Sequence, residues 1–134
     1  MSGEVRKNLR LSSIDYKNGT FFITMCAQNM SCIFGKVIFT DTNAFVDLSK
    51  TGQSVEDTIN YIDAHDENVS IEKFVIMPNH VHILMTVENM DVSSVVRRIK
   101  TFVQRNKNNR IWQRTYMEHK IKNIKDFQVH WTYI

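Results

Sequence analysis

Three stretches of the sequence have the short apolar pattern that is typical of β-strands. The first, TFFITMCAQ (20–28), follows the turn residues KNG. The other two, EKFVIM (72–77) and HVHILMTV (80–87), are separated only by Pro78 and Asn79, which predict a tight turn. These stretches therefore predict three strands, the last two of them tightly joined.

Apolar residues at helical spacing predict two helices. The segment 54–65 has Ser54 as its N-cap and Asp57 at the third helical position. A second helix follows Asp91, a good N-cap, and runs to about Asn106, with arginines and lysines outside its apolar face. The inward-facing residues are Val55, Ile59 and Ile62 in the first helix, and Val92, Val95, Val96, Ile99, Phe102 and Val103 in the second.

The remaining segments complete an alternating order of strands and helices. Residues 33–50 fit a short strand and a loop, IWQRTYMEHKI (111–121) predicts a strand, and DFQVHWTYI (126–134) predicts a helix capped by Asp126. The order β, α, β, β, α, β and a terminal helix predicts an α+β ferredoxin-like (RRM-like) sandwich, an antiparallel sheet with helices on one face. With 134 residues, a single domain spanning 1–134 is expected.

The composition is that of an ordinary folded protein without a membrane segment. Hydrophobic residues make up 43% and charged residues 23% of the chain. No apolar stretch approaches the roughly 18 residues that cross a bilayer, and MSGEVRKNLR lacks the apolar core of a signal peptide. Cys26 and Cys32 are too few for a disulfide framework. A cytoplasmic protein with no membrane partner is therefore expected.

Charge is distributed unevenly along the chain. The formal net charge is only +3, but ten Lys or Arg residues between Arg97 and Lys125 face one acid, Glu118. From Lys36 to Val96 the balance reverses, with three lysines against ten Asp or Glu. Such asymmetry indicates either a positive surface for a polyanion or a solvated helix with a basic exposed side.

Two histidines on the strand 80–87 point to the same side of the predicted sheet. Side chains alternate along a strand, so His80 and His82 share a face with Leu84 and Thr86, and the opposite face is apolar. Two imidazoles at i and i+2 lie close enough to bind one cation, each through one ring nitrogen. Satisfied core or surface histidines also fit, as does a zinc hydrolase, although no HExxH or His-Cys-Cys pattern is present. A metal at a phosphodiester agrees best with the basic segment.

A tyrosine lies near the end of the terminal helix. Helical spacing places Phe127, Trp131 and Ile134 on one stripe that can dock on the body of the protein. Tyr133 lies about 120° from that stripe, by 100° per residue, with His130 one turn back on its own side. It is either an ordinary, partly exposed tyrosine or a covalent nucleophile whose phenolate is favoured by a base or a positive charge.

Together, a histidine-hydrophobe-histidine strand and a tyrosine on a later helix resemble the HUH single-strand nucleases and transposases. In detail the sequence resembles the REP-associated tyrosine transposases, relatives of the single-tyrosine insertion-sequence transposases. The matching stretches run from about Arg6 to Ile134 in the family's order: RKNLRL, DYKNGTFFITMCAQN with FG following, FVIMPNHVHILM, IWQRTYMEH and WTYI.

This resemblance implies a metal-assisted DNA strand transferase. His80 and His82 would hold Mg²⁺ or Mn²⁺, and Tyr133 would attack a phosphodiester of single-stranded DNA. The product in the family is a 5′-phosphotyrosine link and a free 3′-hydroxyl, which later rejoins strands without ATP. A Lewis acid at the scissile phosphate agrees with that chemistry.

The resemblance also implies a DNA hairpin beside the cleavage site. Cationic side chains neutralise phosphates, and Trp112, Tyr116 and Phe102 offer either a stacking surface for bases or core packing. The candidate DNA contacts are Arg6, Lys7, Arg10, Arg97, Arg98, Lys100, Arg105, Lys107, Arg110 and Arg114.

One feature departs from the family. The relatives continue past Tyr-Ile to a polar amide residue that serves as a third metal ligand, whereas this sequence ends at Ile134. We expect either that water or another side chain replaces it, with His130 and His119 as candidates, or that metal binding is weaker. A short terminal helix is also expected to fray.

Three functions therefore remain at this stage. They are a tyrosine-dependent single-strand DNA transposase or nuclease, a hairpin-binding protein of the same fold without catalysis, and an unrelated ferredoxin-like RNA-binding domain. The histidine pair and Tyr133 together favour the first. Some relatives form homodimers that exchange the tyrosine helix, and the sequence is compatible with either a monomer or a dimer.

Overall fold

The computed structural model describes residues 10–11 and 13–134. Its strands are β1 (Asn18–Cys26), β2 (Gly35–Phe39), β3 (Ala44–Leu48), β4 (Val69–Ile76), β5 (His80–Glu88) and β6 (Met117–Lys120). Its helices are α1 (Lys50–His65), α2 (Val92–Gln104) and α3 (Ile124–Tyr133). Within these residues, no helix has both the length and the apolar character needed to span a membrane.

The central sheet has the strand order β4–β5–β1–β6, and every neighbouring pair is antiparallel. With the two crossover helices, this order is that of a ferredoxin-like sandwich, which confirms the predicted fold class. Strands β2 and β3 form a separate hairpin in the segment for which a short strand and a loop were predicted.

One face of the sheet forms the hydrophobic core with α1 and α2. The odd-numbered residues of β1 and β5 point to this face, as alternation along the strands predicts. Fully buried members of the core include Phe21, Ile23, Met25, Val81, Ile83 and Met85 from the sheet, and Val55, Ile59, Val95 and Ile99 from the helices. The opposite face of β1 and β5 is therefore available for other chemistry.

Helix α3 lies on that opposite face, so the helices do not all cover one side of the sheet. The Phe22 ring of β1 is 4.6 Å from the His130 ring and 6.0 Å from the Tyr133 ring, centroid to centroid. Phe22 is paired in register with Leu84 of β5 and His119 of β6, which places all three side chains on the same face. The sheet thus separates the core from the tyrosine helix.

Helix α1 begins five residues earlier than the sequence predicted. Its N-cap is Ser49 rather than Ser54, and the Ser49 hydroxyl accepts a hydrogen bond from the Gly52 amide at 3.0 Å. The same hydroxyl donates to the Ile33 carbonyl at 2.6 Å, which ties the helix to the loop before β2. The low helix propensity of Gly52 disfavours a helix that begins before it. The hydrogen bond between Ser49 and the Ile33 carbonyl outweighs that preference.

Substituting Ser49 with alanine is expected to reduce the free energy of unfolding by about 1–2 kcal/mol, because it leaves the Gly52 amide without its cap. Ser54→Ala is the matched control and should change stability by less than about 0.5 kcal/mol, since Ser54 lies inside the helix. Urea unfolding followed by circular dichroism measures both. Equal effects of the two variants would contradict the assignment of the cap.

The other element boundaries agree with the sequence to different degrees. Asp91 is the N-cap of α2, as predicted, and its carboxylate accepts from the Ser93 amide at 2.9 Å. Helix α3 is capped by Asn123, not Asp126, and the Asn123 side chain accepts from the Asp126 amide at 2.9 Å. Only Met117–Lys120 of the predicted strand 111–121 joins the sheet as a strand, although Trp112 forms an isolated bridge with Ala27.

Candidate active site

His80 and His82 lie at the start of β5, on the face opposite the core. Their ring centroids are 4.7 Å apart, and His82 is opposite Thr24 of β1 and Val75 of β4. The His82 Nδ1 is 3.0 Å from the Thr24 hydroxyl, and the His80 Nδ1 is 2.7 Å from the Asn79 side-chain oxygen. Each ring is therefore fixed through its Nδ1.

The electrostatics of the pair favour neutral imidazoles. Burial lowers the pKa of His80, and burial together with the nearby His80 lowers the pKa of His82 to about 4. The Asn79 side-chain oxygen only accepts, so in the neutral ring His80 Nδ1 carries the proton and Nε2 keeps its lone pair. A neutral imidazole whose other nitrogen is held by a hydrogen bond is the usual form of a metal-ligating histidine.

Tyr133 reaches the histidine pair from α3. Its ring centroid is 5.3 Å from that of His82, edge-on, and the tyrosine is 69% exposed. A phenol in this place contacts His82 on one side and remains open to a large substrate on the other. The two parts of the candidate site are 51 positions apart in the sequence and meet on the open face of the sheet.

The predicted orientation of α3 was wrong. We expected the stripe of Phe127 and Trp131 to dock on the body, but these two rings stack on each other 5.8 Å apart and Trp131 is 42% exposed. Instead His130 and Tyr133 face the sheet through Phe22. The stripe and the tyrosine are on different sides of the helix, as predicted, but His130 and Tyr133 contact the sheet at Phe22, whereas Trp131 contacts it at the Lys73 side chain.

Helix α3 is held in place largely by polar contacts. The Lys73 ammonium of β4 donates to the Trp131 carbonyl at 2.9 Å and lies 4.9 Å from the Trp131 ring centroid. A cation beside the last carbonyls of a helix is favourable both as a hydrogen-bond donor and for the helix dipole. None of the residues of α3 is buried.

The two histidines that we considered as a third metal ligand lie together. His119 Nε2 is 3.0 Å from an Asp126 carboxylate oxygen, and His130 Nδ1 is 3.1 Å from the other one. The rings of His119 and His130 are stacked 4.9 Å apart. His130 contacts Phe22, which in turn stacks on His82 at 5.1 Å, so this group and the histidine pair flank a shared aromatic ring.

Thr24 and Asn79 belong to the site but were not identified from the sequence. Asn79 directly precedes His80, so its position next to a candidate ligand was an available signal. Thr24 lies on another strand, and only the register of β1 with β5 brings its hydroxyl to His82. The alternation of residues within one strand contains no information about that register.

A basic groove begins two strands away from His80. Its lining is Lys100, Thr101, Gln104, Arg105, Asn108, Asn109, Arg110, Trp112, Gln113 and Arg114. The Gln113 amide donates to the Cys26 carbonyl at 2.9 Å, and Cys26 is paired with His80 on its other side. Since neighbouring strands are about 4.8 Å apart, Gln113 and His80 are roughly 10 Å apart along the hydrogen-bonding direction. The α2 side of the groove lies on the core face of the sheet, opposite His80.

Several of the predicted DNA contacts make hydrogen bonds within the fold. The Arg10 guanidinium binds Glu118 twice at 3.1 Å and Asp91 at 2.8 Å, and Arg98 binds Asp66 at 2.6 Å. The Lys100 ammonium donates to the Gln113 and Arg114 carbonyls, and burial followed by the nearby Arg110 lowers its pKa to about 8. Arg6 and Lys7 lie outside the described residues.

Five of the ten predicted DNA contacts are left after these. They have no carboxylate partner among residues 10–11 and 13–134. They are Arg97, Arg105, Lys107, Arg110 and Arg114. Of the aromatic residues considered for stacking, Trp112 is buried against Phe34, Tyr116 is part-buried and donates to Glu118, and Phe102 is 47% exposed. Core packing therefore accounts for Trp112 and Tyr116, and a contact with DNA stays a prediction for the five cations.

The ion pair of Arg10 with Asp91 makes stability depend on pH. The Arg10 guanidinium lowers the pKa of Asp91 from 3.8 to about 2, so the pair stabilises the fold above pH 4 and is lost as pH falls from about 4 to 2. Asp91→Asn keeps a capping side chain but should lower the free energy of unfolding at pH 7 by about 1–2 kcal/mol. Urea midpoints at pH 7 and pH 2 should therefore differ less in Asp91→Asn than in the unmodified chain.

Asp41→Asn is the control for that measurement, because Asp41 is exposed in the turn between β2 and β3. A control variant that loses as much pH dependence as Asp91→Asn would show that the effect is a general change of net charge.

Comparison with known proteins identifies the family. The family described as "Transposase IS200 like" matches residues 36–134, about three quarters of the chain. This chain belongs to that family. An uncharacterised protein of Haemophilus influenzae Rd is 32% identical to this IS200-like transposase over 158 aligned positions, which cover 96% of this chain and 86% of that protein.

Solved structures agree with the assignment. The REP-associated tyrosine transposase bound to a REP hairpin superposes with a TM-score of 0.69 at 26% identity, covering 94% of this chain and 70% of that chain. A protein from Deinococcus radiodurans R1, described as a candidate transposase, has a TM-score of 0.58 at 10% identity over 93% and 95% of the two chains. The second likeness shows the shared fold alone. As an IS200-like transposase, this protein belongs to a class of enzymes that cut and transfer DNA.

Proposed function

We propose that this transposase cuts single-stranded DNA beside a hairpin, with Tyr133 as the nucleophile, and forms a 5′-phosphotyrosine link. The observation that carries the proposal is the position of an exposed tyrosine ring 5.3 Å from His82 on the open face of the sheet. A nucleophile must be accessible to a DNA polymer and close to groups that stabilise negative charge on the phosphate. Tyr133 meets both requirements.

His80 and His82 would hold a divalent cation, Mg²⁺ or Mn²⁺. The residues fit such an ion, because both rings are kept neutral by burial and each is fixed through Nδ1, which leaves Nε2 to bind. When bound, the ion supplies Lewis-acid stabilisation of charge on the phosphate. No third His, Cys, Asp or Glu joins the pair among the described residues, so water and phosphate oxygens would complete the coordination.

The chemistry of Tyr133 balances without an external energy source. The phenol oxygen forms a bond to phosphorus as the bond from phosphorus to the 3′ oxygen breaks. The phenol loses its proton, and the departing 3′ oxygen gains one to become a hydroxyl. Because the phosphotyrosine is itself a phosphodiester, a 3′-hydroxyl can reverse the exchange and join strands.

The basic groove would hold the DNA backbone on the approach to the site. Arg105, Arg110 and Arg114 line the groove and have no carboxylate partner among the residues described. Cations of this kind bind phosphates without reading sequence. The relative solved with a REP hairpin supports a hairpin as the structured part of the substrate.

Covalent capture of DNA tests the proposal. A panel of hairpin oligonucleotides with single-stranded flanks is labelled at either the 5′ or the 3′ end and incubated with the protein, with Mn²⁺ or with chelator. A 5′-phosphotyrosine link retains the 3′-labelled fragment on the protein and releases the 5′-labelled one. We therefore expect a shifted band on a denaturing gel with the 3′ label only, and only with the metal.

The same panel distinguishes the alternatives. A hairpin-binding protein without catalysis would retard the oligonucleotides on a native gel but give no covalent band. An RNA-binding domain would prefer RNA of the same sequence, because only RNA offers the 2′-hydroxyl. A band with the 5′ label instead would mean the opposite polarity of attack and would contradict the proposed link.

A further inference from the structure

We propose that His119, Asp126 and His130 form a second metal site, specific for Zn²⁺ or a similar imidazole-preferring ion, that fastens the tyrosine helix to the sheet. One ligand atom from each residue lies within 4.8 Å of the other two. It is the only group of three or more metal-ligating side chains of this kind in the part of the chain that the structure describes. It is distinct from the pair His80 and His82.

The geometry of this cluster is close to what a zinc ion requires. Zinc binds imidazole nitrogen and carboxylate oxygen at about 2.0–2.2 Å, so its ligand atoms lie roughly 3.3–3.5 Å from each other in a tetrahedron. The Asp126 carboxylate oxygens are already 3.0 Å from His119 Nε2 and 3.1 Å from His130 Nδ1. A single oxygen, Asp126 Oδ1, lies 3.3 Å from His119 Nε2 and 3.1 Å from His130 Nδ1, and water would fill the fourth position.

Protonation and hydrogen bonding also prepare the cluster. The Lys122 amide donates to an Asp126 carboxylate oxygen at 2.8 Å and orients that carboxylate. The His130 Nδ1 also lies 2.9 Å from the Asp126 carbonyl, a hydrogen bond that zinc binding through Nδ1 would replace. Zinc bound at His119 Nε2 would require the proton of the neutral ring to lie on Nδ1.

The donor set of this site suits zinc and its neighbours in the transition series, because it combines two imidazoles with one carboxylate. The carboxylate gives it one more protein ligand than the pair His80 and His82, which also offers two imidazoles. The cluster is also reachable from solvent, since the His119 side chain is 41% exposed. A free ion can therefore enter without unfolding the protein.

The consequence of binding follows from where the ligands lie. His119 is on β6, whereas Asp126 and His130 are one turn apart on α3, so one ion would join two elements. Helix α3 has no buried residue of its own, which makes its docking a weak point of the fold. A cross-link at His130 lies within one helical turn of Tyr133 and would hold the phenol near His82.

Zinc binding by the 134-residue chain tests the inference independently of any DNA chemistry. The variant His80→Ala/His82→Ala removes the competing imidazole pair, and we expect it to bind one zinc ion per chain in equilibrium dialysis. Adding His119→Gln should weaken that binding at least 100-fold, whereas adding His65→Ala, an exposed histidine on α1, should leave it unchanged. Co²⁺ in place of zinc reports the tetrahedral ligand field by absorption.

Hydrogen exchange on the unmodified chain supplies a second measurement that needs no variant. Free zinc at 100 times its Kd should slow exchange of the α3 amides about 100-fold and leave the α1 amides unchanged. Failure of the His80→Ala/His82→Ala protein to bind zinc, or binding that persists after His119→Gln, would overturn the site. Zinc that binds without protecting α3 would overturn the fastening role.

Discussion

Tyr133→Phe is expected to lower the yield of covalent DNA–protein product by at least about 10³-fold, because it removes the only oxygen that the proposed reaction joins to phosphorus. The ring itself remains, so its contacts with His82 and Phe22 are kept. Hairpin binding on a native gel should therefore change by less than about twofold. The separation of these two readouts distinguishes loss of the nucleophile from loss of the fold.

Tyr61→Phe is the matched control for this experiment. Tyr61 is also exposed, at 55%, but it lies on α1 on the opposite side of the sheet from the candidate site. Its variant should form the covalent product at the unmodified rate. If Tyr133→Phe retains the covalent band, or if Tyr61→Phe loses it, the nucleophile is a different residue.

Gly52→Ala is expected to destabilise the protein by about 3 kcal/mol, although glycine to alanine inside a helix ordinarily stabilises by about 1 kcal/mol. A Cβ at this position would lie far inside van der Waals contact with the Phe34 carbonyl oxygen. That carbonyl also accepts a hydrogen bond from the Ser49 amide at 2.9 Å, so it cannot move away without disturbing the start of α1. Close approach of two backbones is the reason for the glycine.

Urea unfolding measures the size and sign of the change in the free energy of unfolding caused by Gly52→Ala. Asn60→Ala serves as the control, since Asn60 is exposed in the middle of the same helix and alanine has the higher helix propensity. It should leave the midpoint unchanged or raise it slightly. A Gly52→Ala variant as stable as Asn60→Ala would mean that α1 can shift away from Phe34 at little cost.

Much of the fold could be predicted from local patterns. Strand β5 was identified by its apolar run and by the alternation of Val81, Ile83 and Met85 with His80, His82 and Thr86, because burial on one side of a sheet imposes a period of two. Helix α2 was identified with its cap, since Asp91 and the apolar spacing after it lie within a few residues of each other. In both cases the sequence signal and the structural cause are local.

The parts that failed depend on contacts between distant residues. Helix α1 starts at Ser49 because that side chain also binds the Ile33 carbonyl, 16 positions earlier. The orientation of α3 depends on Lys73 of β4 and His119 of β6, neither of which is visible in the pattern of the helix itself. An apolar stripe on a helix shows which residues favour burial. It does not show which surface of the protein the helix packs against.

The same distinction applies to the candidate site. The histidine pair was predictable because both residues lie on one strand, and the tyrosine because it resembles the family's last motif. That the two meet depends on α3 lying across the open face, with Phe22 between His82 and His130 as a common contact. Identifying Thr24 required the register of the sheet, and the grouping of His119 with Asp126 required the position of α3 beside β6.

The division of the sheet into a core face and a reactive face has an evolutionary consequence. Core residues and candidate-site residues alternate along β5, and their side chains point to opposite faces. Under the proposed chemistry, one change at Tyr133, which is exposed, would remove strand transfer and leave the fold intact. Descendants with a purely regulatory or architectural role in the genome are thus a short mutational distance away from this enzyme family.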